Sequence, residues 1–321
     1  MRLISLEDHF LSEAAVTSPD AEKLALHQFP ASVAHNLSGV GEQRIKDMDK
    51  GDMALQVISH VPFVLSLEVC QNTNDQRAAA IKTSNGRFVG FATLPMDDPA
   101  ASPVELERCI SHLGFIGAMI PNHAHGRHFD GEEYLPLFRK AESLDVPIYL
   151  HPAPAAPSER PGFAGNYPSD LANLMSNQGW GWHADCALHF LRLYSSGLFD
   201  KCPGIKIILG HNGEMLPYMI DRINMRFAKN WGSHKRDLLT VWEQNIWITT
   251  SGMWSLSSFA CLIRAVNLDR IMYSLDYPFE INEEGKSFMG KVKRSGLVTD
   301  QQFEMIAHGN AEILLRIKSP K

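Results

Sequence analysis

The sequence predicts an α/β fold, a single (β/α)8 barrel of the TIM type, on three observations. Eight short apolar runs alternate with stretches of helical periodicity, and eight parallel strands is the number that closes into a barrel. The chain has 321 residues, 45% of them hydrophobic, which suits one such barrel with insertions. Ionisable residues recur just past the ends of the runs, where barrels of this kind carry their chemistry.

The first run, Leu3, Ile4 and Leu6, continues without a break into Glu7-Asp8-His9-Phe10. Strand alternation sends Glu7 and His9 to one face and Asp8 to the other. A second strand is expected at residues 54–59, after a charged helix around 44–50 that ends on Gly51, a C-cap signal. The third is expected at 87–92, behind a helix ending near Asn85-Gly86, and the fourth at 115–119, behind a helix at 105–112. The remaining runs fall at 147–150, 205–209, 246–249 and 270–275, with helical patterns at 134–144, 184–193, 215–228 and 257–265. No Pro/Ser/Gly-rich linker splits the chain, so residues 1–321 read as one domain. The longest interruption, about residues 152–181, is rich in Pro, Ala, Gly and Asn and reads as a lid or interface segment over the barrel mouth. A last helix at about 300–317 mixes charged and apolar residues and is expected outside the barrel, with Gly309-Asn310-Ala311 as a bend.

The balance of 36 acidic against 30 basic residues, with no Lys/Arg block, argues against nucleic-acid binding and polybasic membrane attachment. Met1-Arg2 leads straight into a strand without a signal-like start, and no apolar run approaches the roughly 18 residues of a membrane helix. The five cysteines are scattered, with no C-x-x-C pair, as in a reduced, cytoplasmic chain.

Five residues of metal-ligand type occupy corresponding strand ends: Glu7 and His9 on the first, His151 on the fifth, His211 on the sixth and Asp276 on the eighth. They converge on one point at the barrel mouth. Nitrogen and oxygen donors without thiolate suit one Zn²⁺ or Mn²⁺ ion, with Mg²⁺ an alternative as carboxylates replace imidazoles. Glu7 and Asp276 together would cancel the charge of a divalent ion. Competing sites are weaker. His123, His125 and His128 offer an H-x-H spacing near Asp130, but a solvated loop is the leading reading there. His183 and His189 lie six apart on a helix and cannot chelate together. Asp185 and His189, four apart, share a face that suits a polar contact inside the core. Trp180 and Trp182 pack or stack in the lid, and Ser251 has no G-x-S-x-G context that would make it a nucleophile.

These residues sit in segments that resemble the decarboxylase branch of the amidohydrolase superfamily, the γ-resorcylate and 2,3-dihydroxybenzoate decarboxylases. The carriers are Leu6-Glu7-Asp8-His9-Phe10, Asp145-Val146-Pro147-Ile148-Tyr149-Leu150-His151-Pro152, Ile207-Ile208-Leu209-Gly210-His211-Asn212-Gly213-Glu214, Ile246-Trp247-Ile248-Thr249-Thr250-Ser251-Gly252, Asp276-Tyr277-Pro278-Phe279-Glu280 and Gly309-Asn310-Ala311. The resemblance implies a metal-dependent hydrolase-like barrel with Glu7, His9, His151 and Asp276 as metal ligands. It implies His211 beside the metal, paired with Glu214, and Arg222 binding a substrate carboxylate or hydroxyl. Asn212 stands where an apolar residue is usual, the loop after strand four is shorter and His-rich, and residues 11–38 match the better-known members poorly.

The activity implied is non-oxidative decarboxylation of a hydroxylated aromatic acid, with Asp276 protonating the ring and His211 with Glu214 orienting the substrate or tuning its proton. No organic cofactor is required, and the reverse carboxylation is expected at high bicarbonate. The alternative is a hydrolase of a lactone or amide in the same superfamily, with Asp276 as base. Glutamate at position 7, in place of a histidine, lowers the Lewis acidity of the ion and favours decarboxylation. The expected partners are a small aromatic carboxylic acid and further copies of the chain, as a homodimer or homotetramer.

Overall fold

The computed structural model describes residues 1–19, 29–230 and 234–319. Residues 20–28, part of the poorly matching 11–38 stretch, lie outside the described residues. Eight parallel strands follow in order: β1 (Leu3–Phe10), β2 (Met53–His60), β3 (Phe88–Gly90), β4 (Ala118–Pro121), β5 (Pro147–His151), β6 (Lys206–Leu209), β7 (Ile246–Thr249) and β8 (Ile271–Met272). β1–β2–β3 and β4 through β8 form two continuous ladders. Single bridges join them, Ala92 to Ala118 on one side and Asp8 to Tyr277 on the other, so the sheet closes into the expected barrel.

Strand limits differ most from the expected ones at β3, which keeps only Phe88–Gly90 of 87–92, and at β4 and β8. β4 begins three residues late as a regular strand, although Ile116 N–H already donates to the Gly90 carbonyl at 3.0 Å and the Gly117 carbonyl accepts from Ala92 N–H at 2.8 Å. β8 is only Ile271–Met272, and side chains finish its pairing. Ser274 Oγ accepts from the N–H groups of Leu6 at 3.1 Å and Glu7 at 2.7 Å, while Leu275 N–H donates to Ser5 Oγ at 2.8 Å.

The inner core gathers Ile4, Leu6, Leu55, Val57, Phe91, Met119, Tyr149, Ile208 and Met272, one or two from each of seven strand segments, and Ala311, Leu314 and Leu315 close its lower end. Leu3 and Phe10 belong to the outer core between strands and helices. Strict alternation after Leu6 would turn Glu7 outward. A register irregularity between Ser5 and Asp8 resets it, so Glu7 and His9 face inward while Asp8 faces Gln56.

The main helices are Glu42–Lys50, Leu67–Lys82, Ser102–Leu113, Leu135–Ser143, Gly181–Ser195, Leu216–Phe227, Leu256–Ala265 and Asn282–Ser295. Segment 152–181 carries a 3-10 turn, Arg160–Phe163, and a short helix, Ser169–Ser176. The expected bend at Gly309-Asn310-Ala311 is a π-helical turn, Met305–Gly309, running into Asn310–Leu315. There Asn310 Nδ2 donates to the carbonyls of Leu268 and Ile271, both at 2.7 Å, tying the last helix to β8. Among the described residues no helix is long and apolar enough to cross a membrane.

Candidate metal centre and active site

Inward parity delivers the site. On β5 and its extension Tyr149 and His151 share a face, and so do Ile208 and Gly210 on β6, Thr249 and Ser251 on β7, and Met272, Ser274 and Asp276 on β8. One donor atom from each of Glu7, His9, His151 and Asp276 lies within 4.8 Å of the others. His151 Nε2 is 2.9 Å from Glu7 Oε1, and His9 Nε2 is 3.3 Å from Asp276 Oδ1. His211 Nε2 stands beside them, 3.5 Å from Glu7 Oε1 and 3.9 Å from Asp276 Oδ2.

The far sides of the ligand-type residues are tied down. His151 Nδ1 is 2.6 Å from the Pro152 carbonyl, so it carries the hydrogen and leaves Nε2 bare toward the cluster. His9 Nδ1 meets Ser59 Oγ at 3.3 Å. Glu7 Oε2 accepts from the Tyr149 hydroxyl, which also contacts Thr249 Oγ1 at 2.7 Å and Ser251 Oγ at 3.2 Å. Meanwhile Glu7 Oε1, His9 Nε2 and Asp276 Oδ1 are buried without a hydrogen-bond partner. Three orphaned donor atoms converging from three side chains are what a divalent ion would satisfy, so the residues fit one. Gly210 makes room: a Cβ there would stand 2.9 Å from both Glu7 Oε2 and Tyr149 Oη.

Electrostatics suits the same role. Burial alone would raise the Glu7 carboxyl, but the His211 imidazolium beside it foremost overcomes this and holds it well below the usual range. Burial lowers His9, keeping it neutral and able to donate a lone pair. Burial also works against charge on His211, yet Glu214 and Glu7 beside it raise it well above the ordinary value. Asp8, facing away, is pushed up by burial to about 7 despite the nearby Arg44 guanidinium.

His211 and Glu214 are held by an unusual local backbone. His211, Asn212, Gly213, Glu214 and Met215 have φ of 47°, 55°, 84°, 52° and 66°, a left-handed turn. The non-glycine residues of such a turn cost on the order of 1 kcal/mol each and persist only where the surroundings enforce them. The turn puts His211 Nδ1 2.8 Å from Glu214 Oε1. The second oxygen of Glu214 is 2.6 Å from Nδ1 of His183, a residue whose place here the sequence reading missed. Tyr149 was missed too, although its position two residues before His151 was a usable signal.

Other expected positions resolve differently. Arg222 does not join the cluster. Its helix buries Leu216, Pro217, Ile220 and Ile223, leaving Arg222 on the exposed side without a polar partner among the described residues. The loop after β4 is not a solvated one, since His123 and His128 are buried while His125 is exposed. His128 Nε2 meets Asp185 Oδ1 at 2.9 Å, and His189 Nε2 accepts the Phe129 N–H at 3.2 Å, so Asp185 and His189 do share a polar contact region. Ser251 Oγ is buried against Thr249 Oγ1 at 2.8 Å, within the support of Tyr149.

Comparison with known proteins agrees with this architecture. The amidohydrolase family profile matches residues 37–317. Decarboxylase orsB of Emericella nidulans is 45% identical, covering 99% of this chain and 98% of its own. The γ-resorcylate decarboxylase of a Polaromonas species is 31% identical, covering 98% of each. The crystal structure of a dihydroxybenzoic acid decarboxylase from Polaromonas, with bound manganese and the inhibitor 2-nitroresorcinol, superposes with a TM-score of 0.87 at 30% identity, over 98% of this chain and 97% of that one. The chain therefore belongs to the amidohydrolase family, in its decarboxylase branch.

Proposed function

We propose that the chain is a metal-dependent non-oxidative decarboxylase of a hydroxylated aromatic acid, with one manganese ion held by Glu7, His9, His151 and Asp276. The observation that carries the metal is the convergence of Glu7 Oε1, His9 Nε2 and Asp276 Oδ1, all buried and unpartnered. What supports the reaction is the family membership together with a carboxylate at position 7, which leaves the ion a weaker Lewis acid than an all-histidine set would.

Direct loss of CO₂ from an arene would leave an aryl anion. Protonating the carboxylate-bearing carbon first avoids this, because an ortho-hydroxyl feeds electron density into the ring. Glu7, His9, His151 and Asp276 would hold a divalent ion, whose positive charge would help orient the ring. Asp276 delivers the proton to that carbon, and CO₂ leaves as aromaticity returns. His211, kept cationic by Glu214, stands between Glu7 and Asp276 and holds an anionic group of the substrate facing Asp276. His9 has Phe279 edge-on at 5.9 Å, and Phe279 meets Phe29 at 5.7 Å, an aromatic wall suited to a benzoate ring.

A homo-oligomer is part of this reading. Tyr218, Met219 and Met225 are exposed on the Leu216–Phe227 helix, beside Arg222, an apolar surface that a second copy would cover. Sedimentation of the pure protein tests it, and a monomer at micromolar concentration refutes it.

Release of CO₂ from a panel of 2-hydroxybenzoates by manganese-loaded protein tests the activity. Cleavage of lactones or amides without CO₂ would replace this reading with the hydrolase one.

A further inference from the structure

The carbonyl of His9 stands where the regular ladder between β1 and β8 runs out. Alternate carbonyls of a parallel strand turn to its two neighbours. That of Phe10 accepts from Val61 N–H at 3.0 Å just past β2, so that of His9 turns to the β8 side, where His9 N–H already donates to the Tyr277 carbonyl at 2.6 Å. A continued ladder would bring the N–H two residues on, that of Phe279, to the His9 carbonyl. Phe279 N–H instead closes a turn on the Asp276 carbonyl at 2.9 Å. A side chain takes its place: Arg44 Nη1, from the Glu42–Lys50 helix, donates to the His9 carbonyl at 2.7 Å.

Arg44 is buried and engages three strand segments at once. Its Nε donates to Gln56 Oε1 on β2 at 2.8 Å, its Nη1 reaches β1, and its guanidinium carbon lies over the Tyr277 ring, 4.5 Å from the centre. Among the described residues no carboxylate hydrogen-bonds to it. Asp8 Oδ1 accepts from Gln56 Nε2 at 3.2 Å and from Tyr277 N–H at 3.3 Å, while Asp8 Oδ2 and Arg44 Nη2 are both buried without a hydrogen-bond partner. A buried guanidinium without a carboxylate is costly to desolvate, so packing alone does not account for its place. His9 is the ligand-type residue that most needs such a tie. Its Nδ1 meets only Ser59 Oγ at 3.3 Å, whereas His151 Nδ1 is 2.6 Å from a carbonyl and Glu7 accepts from the Tyr149 hydroxyl. With so long a side-chain bond, the aim of the His9 ring is set by its backbone.

We propose that Arg44 is a positioning residue of the metal centre: through the His9 carbonyl it keeps His9 Nε2 on the point where Glu7 Oε1 and Asp276 Oδ1 converge. The inference rests on the reading of Glu7, His9, His151 and Asp276 as metal ligands. Ser274 anchors the start of the β1 irregularity at Leu6 and Glu7, and Arg44 anchors its far end. Gln56 belongs to the same buried network but bonds to Asp8 and Arg44, not to His9. It therefore separates a loosened core from a released His9.

The test measures manganese affinity by competition with a chelator, and urea denaturation of the metal-free protein alongside, in wild type, Arg44→Met and Gln56→Met. Both substitutions remove buried hydrogen bonds, and both are expected to lower the urea midpoint. Arg44→Met is expected to raise the manganese dissociation constant by about tenfold or more, while Gln56→Met stays within about threefold of wild type. Arg44→Lys keeps the buried charge without the planar fork and is expected to raise the constant too, which carries the test if Arg44→Met does not fold. An unchanged dissociation constant in a folded Arg44 variant would overturn the proposal. Equal rises in Arg44→Met and Gln56→Met would overturn it as well, since affinity would then follow general loosening of the barrel. Wild type that binds no manganese would instead sink the metal-site reading, so the two failures are distinguishable.

Discussion

The hydroxyl of Tyr149 is the most informative single group to remove. A phenol has one hydrogen, and here it goes to Glu7 Oε2, so Thr249 Oγ1 at 2.7 Å or Ser251 Oγ at 3.2 Å must donate in return to the phenol oxygen. Tyr149 provides the hydrogen bond to Glu7 Oε2, while Oε1 faces His151 and His211. In Tyr149→Phe the ring still fills its place in the inner core, but Oε2 loses a charge-assisted hydrogen bond worth about 1.5–3 kcal/mol. A carboxylate that has lost its orienting partner binds a metal roughly ten- to a hundredfold more weakly, the same range expressed as affinity. We expect the manganese dissociation constant, measured by competition with a chelator, to rise by that factor. At saturating manganese we expect kcat to stay within about threefold of wild type, because the substrate side of the site is untouched. An unchanged dissociation constant would refute the assignment of Glu7 as a ligand oriented by Tyr149. A collapse of kcat at saturating metal would show instead that the phenol acts on the substrate.

Three further outcomes follow from the geometry. Asp276→Asn is expected to retain manganese in part and to lose at least about 10²–10⁴-fold in CO₂ release; substantial activity would remove the assigned proton donor. Ser274→Ala strands the buried N–H groups of Leu6 and Glu7, which both rely on its Oγ, and is expected to cost about 2–5 kcal/mol in urea denaturation; a loss under about 1 kcal/mol would mean that other groups close the seam. Asp8, pushed up to about 7 by burial, holds a proton in the folded state that it loses near pH 4 when unfolded. Its raised pKa therefore costs stability as pH climbs from about 4 and reaches its full penalty above about 7. Asp8→Asn abolishes that dependence, so its stability relative to wild type is expected to be more favourable at pH 8 than at pH 5 by about 2–3 kcal/mol. Parallel stability–pH curves for the two proteins would contradict the assignment.

The barrel was legible because each strand is a short run buried on both faces, and such runs stand out wherever helices separate them. The site was legible in so far as strand parity carried it. His151 and Asp276 lie at even steps from inward residues of their own strands, Tyr149 and Met272. β1 is the exception, since Leu6 and Glu7 are adjacent and both face inward. The irregularity that allows this is held by Ser274, 267 residues further on, and no local signal in β1 reveals it. A non-local partner hides His183 too: helical spacing separates it correctly from His189, but Glu214, 31 residues on, comes from the following βα unit. The left-handed turn at His211–Met215 is half legible. Asn212 and Gly213 tolerate positive φ, whereas His211, Glu214 and Met215 adopt it only because the finished barrel enforces it. Arg222 marks the opposite limit. A position inferred from resemblance assigns a residue to a helix but not to a surface, and this helix turns Leu216, Ile220 and Ile223 inward. A guanidinium facing away from its own barrel can meet a substrate only across a boundary between two chains, so its role and the oligomeric state stand or fall together. Arg222→Ala should therefore raise KM for the carboxylate in the assembled protein, and an unchanged KM there would leave Arg222 no part in binding.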